Sequence, residues 1–551
     1  MRPLKIVTAI TALTLATAAF APAPAATFVP AIAVAAPESI LRPVTACTDL
    51  ARGFALPGAA THVTVATVVA ATGTDPEYCG VQGYVEPAVR FELRLPTRTY
   101  AGRYLQYGCG GFCGLVNPPA FADCGLHHGG DVAVAATDDG HIGKTPAVVD
   151  DGSWGAHDQA ARNDLEFRAP HVVSRASKAI IQAFYGAPPR KSYFSGCSDG
   201  GREGLQLAQR YPADFDGIDA GAPANSWSPL LGVYQTWLAR ANTATDGSPI
   251  LTAAKLPALH NAVLAACDHL DGLADGQLDD PRACHFDPAA LTCPDGDSPA
   301  CLTPDQVAAT RRLYSPPTDA YGTLLYPGGQ LPGSELSWAG WIIATPETGG
   351  FAFARNLADN YLRYLGYPIG APAATVDTFA FTQAEFDRLT RVGVRYNAMS
   401  PDLSAFHRRG GKLLLWHGWA DEAIPPAGTL DYYQRLTHGR PQDWARLFMV
   451  PSLYHCGGGT TLTEFDPLRE LVAWVERGTT PTRVTATGRD AAGTVTRTRP
   501  VFAYPQRAVY DGTGSIDDAA NFRPAPPSSP VRDVVHWAGE KLYDLPGPVA
   551  P

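Results

Sequence analysis

The sequence lacks any run of lysine and arginine, and its acidic residues outnumber its basic ones, 53 to 43. A basic patch for nucleic acid is therefore not expected. Beyond an N-terminal stretch ending near Phe20 there is no long apolar segment, which argues against a membrane-spanning helix in the remainder. No internal repeat is found, nor a low-complexity tract outside the alanine-rich start. None of the eleven cysteines has the Cys-x-x-Cys spacing of a zinc site, so disulfides are the default reading. The glycine-rich segment 108–114 lacks the spacing of a dinucleotide loop. Gly143-Lys144-Thr145 is not a phosphate loop either, because Asp138 stands where the first glycine belongs. Charged residues make up only 17% against 45% hydrophobic, with 54 glycines and 49 prolines. Such a chain is globular and rich in loops rather than disordered.

What is present begins with a leader. Arg2 and Lys5 precede the apolar stretch from Ile6 to Phe20, and Ala-x-Ala sites follow, ending near Ala25 or later near Ala35 and Ala36. Residues 1–36 read as a signal peptide, which implies a secreted protein with no membrane attachment once the leader is removed. The odd cysteine count leaves at least one thiol without a partner in the chain.

A length of 551 residues suggests one large domain carrying an insertion, or several smaller units. Strand-like segments run from Arg103 to Tyr107, Asp131 to Ala136, Lys191 to Ser195, Gly217 to Ala220, Lys412 to Trp416 and Arg446 to Val450. Helical patterns from Asn163 to Tyr185 and Gly201 to Arg210 lie between some of them. Strands alternating with helices predict an α/β fold, a mostly parallel sheet covered on both faces. The stretch 225–397 breaks that rhythm with four cysteines and many Trp, Tyr, Pro and Gly residues. It is expected to be an inserted lid domain, splitting the core into 37–224 and 398–551. The Pro-rich tail after Thr498 is expected to wrap the surface.

Gly196-Cys197-Ser198-Asp199-Gly200 matches G-x-S-x-G between a strand-like and a helix-like segment. That setting pushes a serine hydroxyl out of a sheet, as in the α/β-hydrolase nucleophile elbow. An ordinary glycine turn with Ser198 as helix cap is the plainer alternative. A serine needs a base, and in this fold acid and base follow the nucleophile in that order. Asp421 lies just beyond the strand at 412–416, and His455 just beyond that at 446–450. His417 precedes Asp421, breaks the order, and reads as a structural histidine. Cys197 adjoins Ser198 and Cys456 adjoins His455, so catalytic contact would bring the two sulfurs within bonding reach. Oxyanion N–H groups are expected from Asp199 and from Gly110 in the loop 108–114.

With these residues in place the chain resembles the tannase and feruloyl esterase family. The resemblance rests on Gly-Cys-Ser-x-Gly-Gly at 196–201, Tyr-His-Cys at 454–456, the glycine loop at 108–114, and segments 217–224 and 417–421. It implies an α/β-hydrolase core with a large lid, and a serine esterase acting on small aromatic esters, free or attached to a plant polymer. It further implies a structural Ca²⁺ in the lid, with carboxylates from Asp268, Asp271 and Asp275 and backbone oxygens from Leu273 and Gln277. Hard oxygens around turn-forming glycines suit that ion, although the spacing is not an EF-hand. The expected further disulfides are Cys47–Cys79, Cys267–Cys284 and Cys293–Cys301, with the pairing of Cys109, Cys113 and Cys124 open. Asp199 departs from the Thr of feruloyl esterases and the Glu of members that cleave terephthalate monoesters. Ile424 stands where the latter present an aromatic. Feruloyl ester hydrolysis is the leading expectation, with terephthalate monoester or tannin cleavage as alternatives. Trp338, Trp341, Phe351 and Phe353 are expected to form an apolar acyl slot, and Arg355 to meet a substrate carboxylate. A calcium-stabilised binding protein on an inactive hydrolase scaffold is the reading of another class, and the full set of triad residues argues against it.

Overall fold

Apolar runs become adjacent strands. A computed structural model describes residues 39–73, 75–117, 130–144, 148–440, 442–527 and 531–544, so the leader and Cys124 lie outside the described residues. The central strands are β5 (Arg103–Tyr107), β6 (Val132–Thr137), β7 (Lys191–Cys197), β8 (Gly217–Gly221), β9 (Lys412–Gly418) and β10 (Ala445–Val450). They pair in parallel in the order β6-β5-β7-β8-β9-β10. Strand β6 is buried at every position and β9 at all but its first. Strands covered on both faces read as continuous apolar runs rather than alternating ones, which is why these were legible.

The sheet extends further than that reading. Four N-terminal strands, β1 (Gly53–Phe54), β2 (Thr61–Val69), β3 (Tyr78–Val85) and β4 (Val89–Pro96), continue it antiparallel from β6. Exposed polar residues such as Thr64, Gln82 and Arg90 mix with the exposed Val65, Val68 and Val69 of β2, so no clean alternation marks them. The helical pattern from Asn163 to Tyr185 is also not one helix. It divides into α1 (Gln159–Asn163), a wide π turn at Asp164–Arg168 and α2 (Ala169–Tyr185), which ends at Gly186 with φ 76°. The second pattern is α3, Asp199–Arg210, packed on β7 and β8.

Among the described residues, 225–397 supplies helices and loops between β8 and β9 and no strand to the main sheet. Its buried Trp227, Trp338, Tyr361 and Leu389 merge with the core beneath the sheet. The tail does more than wrap the surface. Arg483–Arg489 pairs antiparallel with Val495–Phe502, and Arg507–Tyr510 with Phe522–Ala525. Disulfides join Cys47–Cys79, Cys197–Cys456, Cys267–Cys284 and Cys293–Cys301 as expected, and Cys109 pairs with Cys113. Among the described residues no helix is long and apolar enough to cross a membrane.

Candidate active site

Ser198 occupies the sharp turn between β7 and α3 with φ 65° and ψ −119°. A non-glycine residue keeps such values only where its surroundings enforce them. Here the Ser198 N–H donates to Gly221 O at 3.0 Å, and its carbonyl accepts from Ala224 N–H at 3.0 Å and Arg202 N–H at 3.1 Å. Gly196 must lack a side chain, because a Cβ there would come within 2.6 Å of Gly200.

Asp421 and His455 emerge beyond the C-terminal ends of β9 and β10. His455 Nδ1 donates to Asp421 Oδ2 at 2.8 Å, which leaves Nε2 as the acceptor face of the neutral ring. Asp421 is buried, and its Oδ1 accepts the N–H groups of Ala423 and Ile424, each at 2.8 Å. Burial opposes the Asp421 charge, yet His455 and His417 overcome it and hold the carboxyl well below its usual range. For His455 burial again opposes the charge, and the Asp421 carboxylate outweighs it, raising the imidazole pKa. His417, expected to be structural, is fully buried in β9. Its Nδ1 meets Thr429 Oγ1 at 2.8 Å, and its Nε2 reaches Ile424 O at 2.9 Å and Asp421 Oδ2 at 3.1 Å.

The Cys197–Cys456 bond, with Cα atoms 5.8 Å apart, ties the elbow to the loop carrying His455. The glycine loop is seated on the same elbow: Gly200 N–H donates to Cys109 O at 2.8 Å. A Cβ on Gly108 would lie 2.5 Å from the Gly200 Cα, so only glycine allows that approach.

Trp341 lies beside His455, its ring centroid 5.5 Å from the imidazole and 4.7 Å from the ring of Phe353. Trp341 Nε1 is fixed by Gln235 Oε1 at 3.2 Å. Trp338 is fully buried, whereas Phe351 is 61% exposed. Arg355 pairs at the surface with Asp377 at 2.7 Å.

The acidic lid loop is folded around its own carboxylates. Asp268 accepts the N–H groups of Asp275, Gly276 and Gln277, and Asp271 those of Leu273 and Asp279. Asp275 pairs with Arg499 at 2.7 Å. Burial and the charge of Asp279 push Asp271 up to about 7. Hard carboxylate oxygens suit a cation such as Ca²⁺ in kind, although Asp275 already pairs with Arg499.

Two features escaped the sequence. Glu422 adjoins His455, accepting its backbone N–H at 3.2 Å, and burial with the neighbouring Asp421 pushes it up to about 7. Asp139 and Glu203 are buried under the glycine loop together with Asp199, Cys109 and Cys113, a group whose ligand atoms could hold a metal ion. The Asp138-Asp139 pair was visible in the sequence, but nothing there says it meets α3.

Comparison with known proteins agrees with this geometry. The family described as tannase and feruloyl esterase matches residues 70–525. Mono(2-hydroxyethyl) terephthalate hydrolase of Piscinibacter sakaiensis is 36% identical, over 86% of this chain and 89% of that protein. A probable feruloyl esterase B-2 of Aspergillus flavus is 32% identical over 75% of this chain and 80% of that protein. Among solved structures, an esterase from Aspergillus oryzae aligns with a TM-score of 0.75 at 26% identity, covering 87% of this chain and 100% of that one. Feruloyl esterase B from Aspergillus oryzae aligns with a TM-score of 0.72 at 27% identity, covering 84% and 97%. The chain belongs to the tannase and feruloyl esterase family, an α/β-hydrolase group of carboxylic ester hydrolases.

Proposed function

We propose that this protein is an exported serine esterase that hydrolyses esters of aromatic acids, feruloyl esters first among them. The observation that carries the reading is the 2.8 Å Asp421–His455 hydrogen bond, held at the strained Ser198 elbow by the Cys197–Cys456 bond. In the first step Ser198 Oγ attacks the ester carbonyl while His455 Nε2 takes its proton. Asp421 stabilises the imidazolium, and the N–H groups of Asp199 and Gly110 receive the oxyanion. His455 then protonates the departing alcohol, and afterwards activates water to cleave the acyl-enzyme.

The region 225–397 acts as the lid, and Trp341 with Phe353 offers a flat apolar wall beside the base for an aromatic acyl group. The loop of Asp268, Asp271 and Asp275, with the backbone oxygens of Leu273 and Gln277, would hold Ca²⁺. The ion would supply charge neutralisation to the lid and take no part in the ester chemistry. Export is supported by the leader pattern and by five disulfides, which persist in oxidising compartments.

The test is turnover of methyl ferulate, a gallate ester and mono(2-hydroxyethyl) terephthalate by purified protein beside Ser198→Ala. Methyl ferulate is expected to give the highest kcat/KM, and Ser198→Ala is expected to lose activity on all three. Preference for the terephthalate ester would instead follow the relative at 36% identity. Equal activity in Ser198→Ala would remove the nucleophile from the scheme.

A further inference from the structure

Beneath the glycine loop, three carboxylates and two cysteines converge in a place that water does not reach. Asp139 and Asp199 are 0% exposed, Glu203 2%, Cys113 1% and Cys109 8%. One ligand atom from each of the five lies within 4.8 Å of every other. They come from three elements: Cys109 and Cys113 from the loop after β5, Asp139 from the end of β6, and Asp199 with Glu203 from successive turns of α3. Residues four apart share a helix face, so both α3 carboxylates point the same way.

The charges in this cluster do not balance. The cation beside it is Arg202, which reaches Asp199 through Nε and gives three further N–H groups to the carbonyls of Leu165 at 2.9 Å, Glu166 at 3.0 Å and Tyr396 at 3.4 Å. Both oxygens of Asp139 and Oε2 of Glu203 are buried and accept no hydrogen bond. Buried carboxylates without donors are costly as anions and are relieved either by a proton or by a cation. The disulfide supplies neither. Cys109 Sγ lies 2.9 Å from Glu203 Oε1 and Cys113 Sγ 3.3 Å from Asp199 Oδ2, yet a bonded sulfur has no proton to donate.

A single cation among the five ligand atoms would answer every one of these contacts. We propose that Cys109, Cys113, Asp139, Asp199 and Glu203 form a binding site for one Zn²⁺-type divalent ion, occupied when the two cysteines are thiolates. Two thiolates with carboxylates suit a borderline-soft ion and disfavour Ca²⁺ or Mg²⁺. Binding releases one proton from each thiol, with any held by the carboxyl groups, and moves no electrons. The chain is synthesised with thiols, so no reductant is needed. The Cys109–Cys113 disulfide is the alternative fate of the same pair, and it requires loss of two electrons to an oxidant. Since the glycine loop and α3 both supply ligands, the ion would brace the oxyanion loop against the elbow, a role that rests on the esterase reading above.

The test is export of the full-length chain into an oxidising compartment with Zn²⁺ supplied or withheld, followed by metal analysis and by alkylation and mass mapping after unfolding. With Zn²⁺ supplied, one zinc per chain is expected, and Cys109 and Cys113 become alkylated. With zinc withheld, the two are linked and the zinc is lost. Co²⁺ loaded instead is expected to give a thiolate-to-metal absorption band, absent in the Cys109→Ser, Cys113→Ser double variant and weakened in Asp139→Asn. A folded chain that carries no zinc and has Cys109 linked to Cys113 in both arms overturns the site, as does a cobalt band that survives loss of both cysteines. Ser198→Ala is expected to bind the same single zinc, so failure of the esterase reading leaves this result standing.

Discussion

Cys197 and Cys456 are covalently joined across a sequence separation of 259 residues, and each directly adjoins a proposed reactive residue, Ser198 and His455. The bond therefore constrains both the unfolded chain and the distance between nucleophile and base. Replacing both cysteines with alanine is expected to lower unfolding free energy by about 2–5 kcal/mol. A base displaced by about 1 Å costs roughly a hundredfold in rate, so kcat is expected to fall further than KM changes. Denaturant midpoints and steady-state kinetics read the two effects separately. Unchanged kcat in a destabilised variant would make the bond a staple of the fold alone.

The glycine loop gives a steric prediction. A Cβ at position 108 would sit 2.5 Å from the Gly200 Cα and 2.6 Å from Glu203 Oε2, so Gly108→Ala must lift the loop off the elbow. Loss of one oxyanion donor costs about 10²–10³ in kcat. That loss is expected with substrate KM little altered. At Gly110 a Cβ meets nothing within 4 Å, so Gly110→Ala is expected to be far milder. If the two variants were equally impaired, the close approach of the loop would not be the cause.

The pH dependence follows from His455, whose pKa the Asp421 carboxylate raises against the opposing effect of burial. Only the neutral ring accepts the serine proton, so activity falls as pH drops through that pKa. The acid limb of kcat/KM is expected to lie above the ordinary imidazole value of about 6.5. Asp421→Asn removes the partner, so its limb moves down while turnover falls by about 10⁴. Coincident limbs in the two proteins would show that Asp421 does not set this ionisation.

What the sequence made legible was local. The turn at Ser198 and the cysteines beside Ser198 and His455 are adjacent-residue patterns. The parallel strands were readable because burial on both faces leaves unbroken apolar runs such as Leu413-Leu414-Leu415. The antiparallel strands β1 to β4 were not, since polar and apolar residues mix at their exposed positions, as Thr67 and Val68 do in β2. Contacts between distant segments were hidden as well. Nothing in the neighbours of Asp139 announces Glu203, and nothing around Trp341 distinguishes it from the buried Trp338. That Asp377 folds against Arg355 was hidden in the same way.

The lid loop predicts a response to calcium. Without an ion, burial and the adjacent Asp279 push Asp271 up to about 7, a sign of carboxylates crowded together. Bound Ca²⁺ at a hundredfold excess over its Kd would stabilise the protein by about 2.7 kcal/mol. Adding Ca²⁺ to chelator-treated protein is expected to raise Tm, and Asp268→Ala or Asp271→Ala to abolish the rise. A Tm indifferent to Ca²⁺ in the unaltered chain would leave this a loop held by its backbone hydrogen bonds.

Trp341 carries the substrate prediction. Its ring lies 5.5 Å from His455 and its Nε1 is anchored on Gln235, so it presents a fixed flat surface where an acyl group would enter. An aromatic acyl group gains from stacking there, whereas an acetyl group is too small to cover the ring. Trp341→Ala is therefore expected to lower kcat/KM for methyl ferulate by about tenfold or more, equivalent to about 1.4 kcal/mol. Turnover of a short-chain acetate ester is expected to change little, because the Asp421–His455 pair does not depend on the indole. The ratio of the two rate constants is the measurement, since it cancels any loss of folded enzyme. An equal fall on both esters would mean that the indole holds the base in place, and the acyl slot would have to be sought elsewhere in the lid.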